Sequence, residues 1–193
     1  MLPFNIVPFT PAVAAGVFGL QLRDPLDPLT AATLRRALHQ HGVLYFREQD
    51  LTEADQVRTS RIFGLPVRHP TSTLPPGPIR EITAISNIDE SGHPLGALGN
   101  DEIHYHADLC FLHTPGSFST LYALETPATG GETTWIGLRA AFEALDDRWK
   151  ERLQGLEVVY THSRPEYNPI HPPAHPLVTT HPESGRRGLY FSP

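Results

Sequence analysis

Proline punctuates this chain more heavily than any other feature of it: 20 of its 193 residues are prolines, about twice the usual share of roughly 5%. Each proline fixes φ near −65° and removes a backbone N–H, so it ends helices and is excluded from the middle of a sheet. The chain is therefore expected to fold into short strands and many ordered turns rather than long helices. A chain of this length buries roughly 70% of the surface its unfolded form would expose. One core, and a single domain over residues 1–193, is the expected organisation.

Between the prolines the local patterns are readable. "LTAATLRRALHQHG" predicts a helix with Thr30 as N-cap, Leu34, Ala37, Leu38 and His41 on one face, and Gly42 as its stop. "VLYF" at 43–46 reads as a buried strand. "LTEAD" opens a second helix, with Thr52 and Asp55 spaced as a capping box, that runs to Gly64. The alternation of "IREITAI" (79–85) and "SFSTLYALE" (117–125) predicts two more strands, the second reversed by "ETPATGGETTW" into a strand pair. "GLRAAFEAL" and "DDRWKERLQG" predict short helices, the latter ending at Gly155. "LEVVYTH", "HPLVTTH" and "RGLYF" return to strands, around a surface loop rich in Pro and His at 163–176.

Several classes of function are excluded. The formal net charge is −6, and the basic residues are scattered among acids, so no basic stripe exists to follow a phosphate backbone and nucleic acid is not an expected partner. The apolar opening "MLPFNIVPFTPAVAAGVFGLQL" has no Lys or Arg before Arg23 and is broken by Pro3, Pro8 and Pro11, so it reads as an opening strand pair rather than a leader peptide. No apolar run approaches the 18 or so residues of a spanning helix, and no membrane partner is expected. The single cysteine, Cys110, permits no intramolecular disulfide, which suits a reducing, cytoplasmic setting.

The chemistry gathers in "HYHADLCF", residues 104–111. In an extended strand, side chains at i and i+2 share a face about 6.6 Å apart, so His106 and Asp108 can converge on one ion. His104 has the same parity but lies about 13 Å from Asp108 along such a strand, too far for all three to meet at ligand distances of roughly 2.1 Å. One imidazole and one carboxylate are two thirds of the 2-His-1-carboxylate triad that holds Fe(II) and leaves other coordination positions open. Taken alone, the tripeptide is outweighed by chance occurrence on a surface strand.

Its surroundings change that balance. The run "HADLCFLHTPGSFSTLYALETPATGGETTWIGLRAAFEAL" resembles the taurine dioxygenase (TauD/TfdA) family of Fe(II)- and 2-oxoglutarate-dependent oxygenases, and "HGVLYFREQDLT", "FGLPVRHP" and "HPLVTTHPESGRRGLYF" extend the resemblance over nearly the whole chain. The resemblance implies an α+β, mainly β fold, with a double-stranded β-helix (jelly-roll) core and flanking helices. It implies that His106 and Asp108 bind iron and that Thr133, in "GGET", contacts a carboxylate of 2-oxoglutarate. It also places His69, in "VRHP", toward the substrate, although a solvated loop histidine is the other reading of that residue. Leu109 and Phe111 fit ordinary core packing. Ala107 stands where the family has Thr or Ser, a mild departure because that residue does not coordinate. The implied reaction uses O2 and 2-oxoglutarate to hydroxylate a small anionic molecule such as a sulfonate, an alkyl sulfate or an aryloxyacetate.

The third ligand is harder to place. His113, His162, His171, His175 and His181 all follow Asp108, and His175 stands eleven residues before Arg186. The block around His175 matches a strand pair that precedes the family's distal histidine and arginine, so the domain is expected to be incomplete at its C-terminus, with both groups beyond Pro193. A barrel short of its last strands exposes sheet edges that invite pairing with another copy as a homo-oligomer. Two rival readings stand beside the oxygenase: a non-catalytic piece of such an enzyme, and a cupin-like zinc or iron protein using His104 and His106 with a ligand from 162–175.

Overall fold

The computed structural model of the protein describes residues 3–68, 79–87, 97–98 and 103–192. An N-terminal layer is built first. Strand β1 (Asn5–Pro8) pairs antiparallel with β2 (Ala15–Phe18), which pairs parallel with β3 (Leu44–Phe46). Helix α1 (Pro28–His41) makes the crossover between the two parallel strands. A parallel connection of this kind needs a crossover of about a dozen residues, which a helix supplies. Gly16 lies in the middle of this sheet because a Cβ there would fall 2.6 Å from the Phe18 ring and 2.7 Å from the Tyr45 hydroxyl.

The N-cap of α1 is Asp27 rather than Thr30. The Asp27 carboxylate accepts from the N–H groups of Leu29 (2.8 Å) and Thr30 (3.0 Å), and Pro28 takes the first helical position, where its missing N–H costs nothing. Thr30 is instead buried in the first turn and donates its hydroxyl to Asp27. Gly42 closes the helix at φ 74°, a left-handed conformation that glycine adopts without strain. Leu34 is fully buried and meets Phe4 and Val17, with Ile6, Leu26, Leu44, Phe46, Ile62 and Phe63 packed around them. Helix α2 (Glu53–Ser60) begins with the expected capping box of Thr52 and Asp55, but gives way to turns before Gly64.

The remaining ladders are short. Strands β4 (Ile85–Ser86) and β5 (Ala97–Leu98) form a two-residue parallel pair, and the chain from Ile79 to Ile82 is a turn rather than the first half of a strand. "SFSTLYALE" joins no ladder among the described residues. Its alternation survives as an extended segment: Phe118 packs on Phe63 and comes close to Gly64, Thr120 Oγ1 lies 3.0 Å from Ser60 Oγ, and the Tyr122 hydroxyl donates to Gln49 O while accepting from Leu51 N–H. Every second residue thus faces the N-terminal layer.

Two short helices follow, α3 (Leu138–Glu143) and α4 (Asp147–Arg152). Two antiparallel pairs complete the described chain, β6 (Glu157–Val159) with β7 (Ala174–Pro176) and β8 (Val178–Thr180) with β9 (Arg187–Leu189). A 3₁₀ turn at Pro165–Tyr167 interrupts the loop before β7. Helix α3 packs on β9, where the Cα of Arg139 would lie 3.4 Å from a Cβ at Gly188 and Arg187 stacks over the buried Phe142 ring at 5.1 Å. Among the described residues, no helix is long and apolar enough to cross a membrane.

Candidate metal half-site

The segment 104–112 is not the extended strand its parity suggests. It joins no ladder among the described residues, and the chain turns directly after Asp108, with Leu112 N–H donating to Leu109 O at 3.0 Å. Leu109 sits at φ 57°, in the left-handed region that an L-residue adopts only at a cost of about 1 to 3 kcal/mol. The expected pair nevertheless meets: His106 Nε2 lies 3.2 Å from Asp108 Oδ1, with both side chains about half exposed.

Neighbouring groups hold each partner in place. His106 Nδ1 lies 2.9 Å from the His104 carbonyl oxygen. A carbonyl can only accept, so the proton belongs on Nδ1, and the lone pair of the neutral ring is left on Nε2. Ser119 donates its hydroxyl to Asp108 Oδ2 at 2.5 Å, which leaves Oδ1 as the oxygen facing the imidazole. Ala107, between the two, donates its N–H to Ser192 Oγ at 3.2 Å. In the neutral ring, two lone pairs therefore face each other across 3.2 Å. That arrangement calls for a proton or a cation between them. Cis ligands with bonds of roughly 2.1 Å to one ion are separated by about 3.0 Å, so the donor set and its spacing fit a divalent metal.

Among the described residues, no group of three His, Cys, Asp or Glu side chains converges to hold a metal. His104 contributes its backbone carbonyl rather than a third ligand. Three of the later histidines, His162, His175 and His181, have other partners. His162 Nδ1 accepts from Arg164 N–H, and its ring packs edge-on against Phe111 and Tyr167. His175 Nε2 lies 3.0 Å from the Leu112 carbonyl and so donates to it, with the ring against Tyr190. His181 closes the β8–β9 hairpin by accepting from Glu183 and Ser184 N–H. Burial lowers the pKa of His181, as does the nearby His39.

Of the other residues singled out, Thr133 lies on exposed chain between Gly131 and α3, and no hydrogen bond joins it to the His106–Asp108 pair. Phe111 is buried, as a core residue would be. His69 lies outside the described residues. Ser119, Ser192 and the His104 carbonyl went unnoticed in the sequence. Only Ser119 carried a signal, since it stands in the alternating run at 117–125, on the side away from the N-terminal layer.

The described residues thus form an α+β frame that presents an imidazole–carboxylate pair, about half exposed, at 3.2 Å. The chain belongs to the taurine catabolism dioxygenase TauD, TfdA family, whose model matches residues 5–193. It is 30% identical to the alkylsulfatase of Acinetobacter baylyi, over 93% of this chain and 60% of that protein. It is 27% identical to the alpha-ketoglutarate-dependent sulfate ester dioxygenase of Pseudomonas putida, over 97% of this chain and 66% of the relative. The crystal structure of AAD-2 in complex with Mn(II) and N-oxalylglycine superposes with a TM-score of 0.77 at 29% identity, covering 97% of this chain and 72% of that one. The chain thus spans 60% to 66% of the length of these two curated relatives.

Proposed function

We propose that this chain carries half of the metal centre of an Fe(II)- and 2-oxoglutarate-dependent dioxygenase, built as a single domain on a double-stranded β-helix and acting in the cytoplasm on a small anionic organic substrate. A sulfonate, alkyl sulfate or aryloxyacetate is the substrate class. The observation that carries the reading is the pair of acceptors, His106 Nε2 and Asp108 Oδ1, facing each other at 3.2 Å with no proton donor between them when the imidazole is neutral. Family membership supports it, as does the Mn(II) held by the related AAD-2.

With iron, 2-oxoglutarate and O2 bound, the centre would supply oxidising chemistry in which one oxygen atom enters a substrate C–H bond and the other enters succinate as CO2 leaves. The rest is the work of the chain's own residues. His106 and Asp108 hold the ion on one side. The His104 carbonyl keeps the imidazole in the ligating tautomer, and Ser119 keeps Asp108 turned toward it, as outer hydrogen bonds do at metal sites generally. Thr133 is assigned the hydroxyl that contacts a 2-oxoglutarate carboxylate, and His69 the substrate-facing position.

Anaerobic titration with Fe(II) tests the ligand assignment. In a complete version of the domain, His106→Ala and Asp108→Ala are expected to abolish binding, whereas His104→Ala keeps it, because its carbonyl survives the substitution. Equal loss in all three would overturn the assignment. In the same series, Thr133→Ala should weaken 2-oxoglutarate by about 1.5 to 3 kcal/mol, the usual worth of a hydrogen bond to a charged group, and leave iron alone.

A further inference from the structure

Ala107 is the hinge of the His106–Asp108 pair, since rotation of the backbone on either side of it changes the spacing of the two side chains. Among the described residues the segment has no ladder to restrain that rotation. What holds it is a relay from the far end of the described chain. Ala107 N–H donates to Ser192 Oγ (3.2 Å), Ser192 N–H donates to the Tyr160 hydroxyl (2.9 Å), and that hydroxyl donates to Tyr190 O (2.9 Å). Both tyrosines are anchored. Tyr160 follows β6, Tyr190 follows β9 and gives its N–H to Leu177 O at 2.7 Å, and the two rings meet edge to face at 5.9 Å. Ser192 is 9% exposed, so its hydroxyl is shielded from water that would otherwise compete for the Ala107 amide.

We propose that Ser192 is a positioning residue: through the Ala107 amide it ties the spacing of His106 and Asp108 to the seam between the β6–β7 and β8–β9 pairs. The consequence for metal binding rests on the dioxygenase reading above, but the clasp does not.

The test uses the 15N-labelled chain, unsubstituted and as Ser192→Ala, Ser192→Thr and, as a control, Ser184→Ala, whose hydroxyl accepts only within its own hairpin. Two measurements are made on each: amide hydrogen exchange and chemical shift of Ala107 without metal, and the affinity and visible spectrum of Co(II) alone. Ser192→Ala is expected to speed exchange at Ala107 roughly five-fold or more, as loss of one ordinary hydrogen bond implies. Its Co(II) affinity should fall by a similar factor, with an altered band shape. Ser192→Thr, which keeps the acceptor, should restore both, and Ser184→Ala should change neither. An Ala107 amide that ignores Ser192→Ala overturns the clasp, and faster exchange with unchanged Co(II) affinity and spectrum overturns the positioning role of Ser192. Failure of the unsubstituted chain to bind Co(II) would count against the functional reading alone, and the Ala107 amide would then decide the clasp.

Discussion

The N-terminal layer, residues 3–63, and the site-bearing segment, 103–136, are held together by different means. The first has a three-stranded sheet, two capped helices and a core in which Leu34 is fully buried. The second has no ladder among its described residues and leaves Leu121, Leu124, Trp135 and Ile136 more than half exposed. It is attached instead by individual side-chain bonds, Thr120 to Ser60, Tyr122 to Gln49 and Leu51, His175 to Leu112 and Ser192 to Ala107. Repetitive backbone bonding gives stability that tolerates the loss of any one member. Point attachments give a particular geometry, and each one matters to it.

The largest effect expected from this contrast is on global stability. Leu34→Ala should cost about 2 to 5 kcal/mol by urea unfolding, because it opens a cavity under α1, while Leu121→Ala should stay within about 0.5 kcal/mol. Similar losses from both would erase the distinction. Next in size is Tyr122→Phe, which leaves the Leu51 amide without its acceptor. About 1 to 2 kcal/mol is expected, with hydrogen exchange accelerated in 117–125 and unchanged in β1–β3. Acceleration spread evenly over both regions would show that they open as one unit.

The smallest effect concerns the cap of α2. The Thr52 hydroxyl and backbone N–H, and then Arg58, hold the Asp55 carboxyl at about 2, below its ordinary 3.8. The folded state therefore favours the ionised form, and the stabilisation is present above about pH 4 and lost as pH falls through 2. Thermal unfolding of Asp55→Ala between pH 4 and pH 2 should fall less steeply than that of the unsubstituted chain. Parallel curves would mean that the cap contributes nothing that titrates.

What could be read from the sequence follows the same division. Helices α1 to α4 are specified by local periodicity, and α1, α2 and α4 by side-chain caps as well; even the N-cap of α1 had a signal, since Asp27 stands directly before a proline suited to the first helical position. "IREITAI" alternates as a strand should, but a strand needs a partner, and the one it meets among the described residues, β5, is two residues long. At the site, His106 and Asp108 were legible as residue types at a meaningful spacing, while the turn that follows them was not, because it depends on a left-handed leucine. The restraints were hidden for a different reason. A backbone carbonyl has no letter of its own, and a serine 85 residues from its partner belongs to no local pattern.

That separation also bears on the order in which the protein can be made. Chains leave the ribosome from the N-terminus and domains begin to fold during synthesis, so the first layer has all its strands and helices once residue 63 has emerged. The imidazole and carboxylate emerge soon afterwards, but the hydroxyl that fixes the backbone between them is translated 85 residues later than Ala107. A nascent chain thus carries His106 and Asp108 with the backbone between them unclasped until Ser192 is added, 85 residues after Ala107.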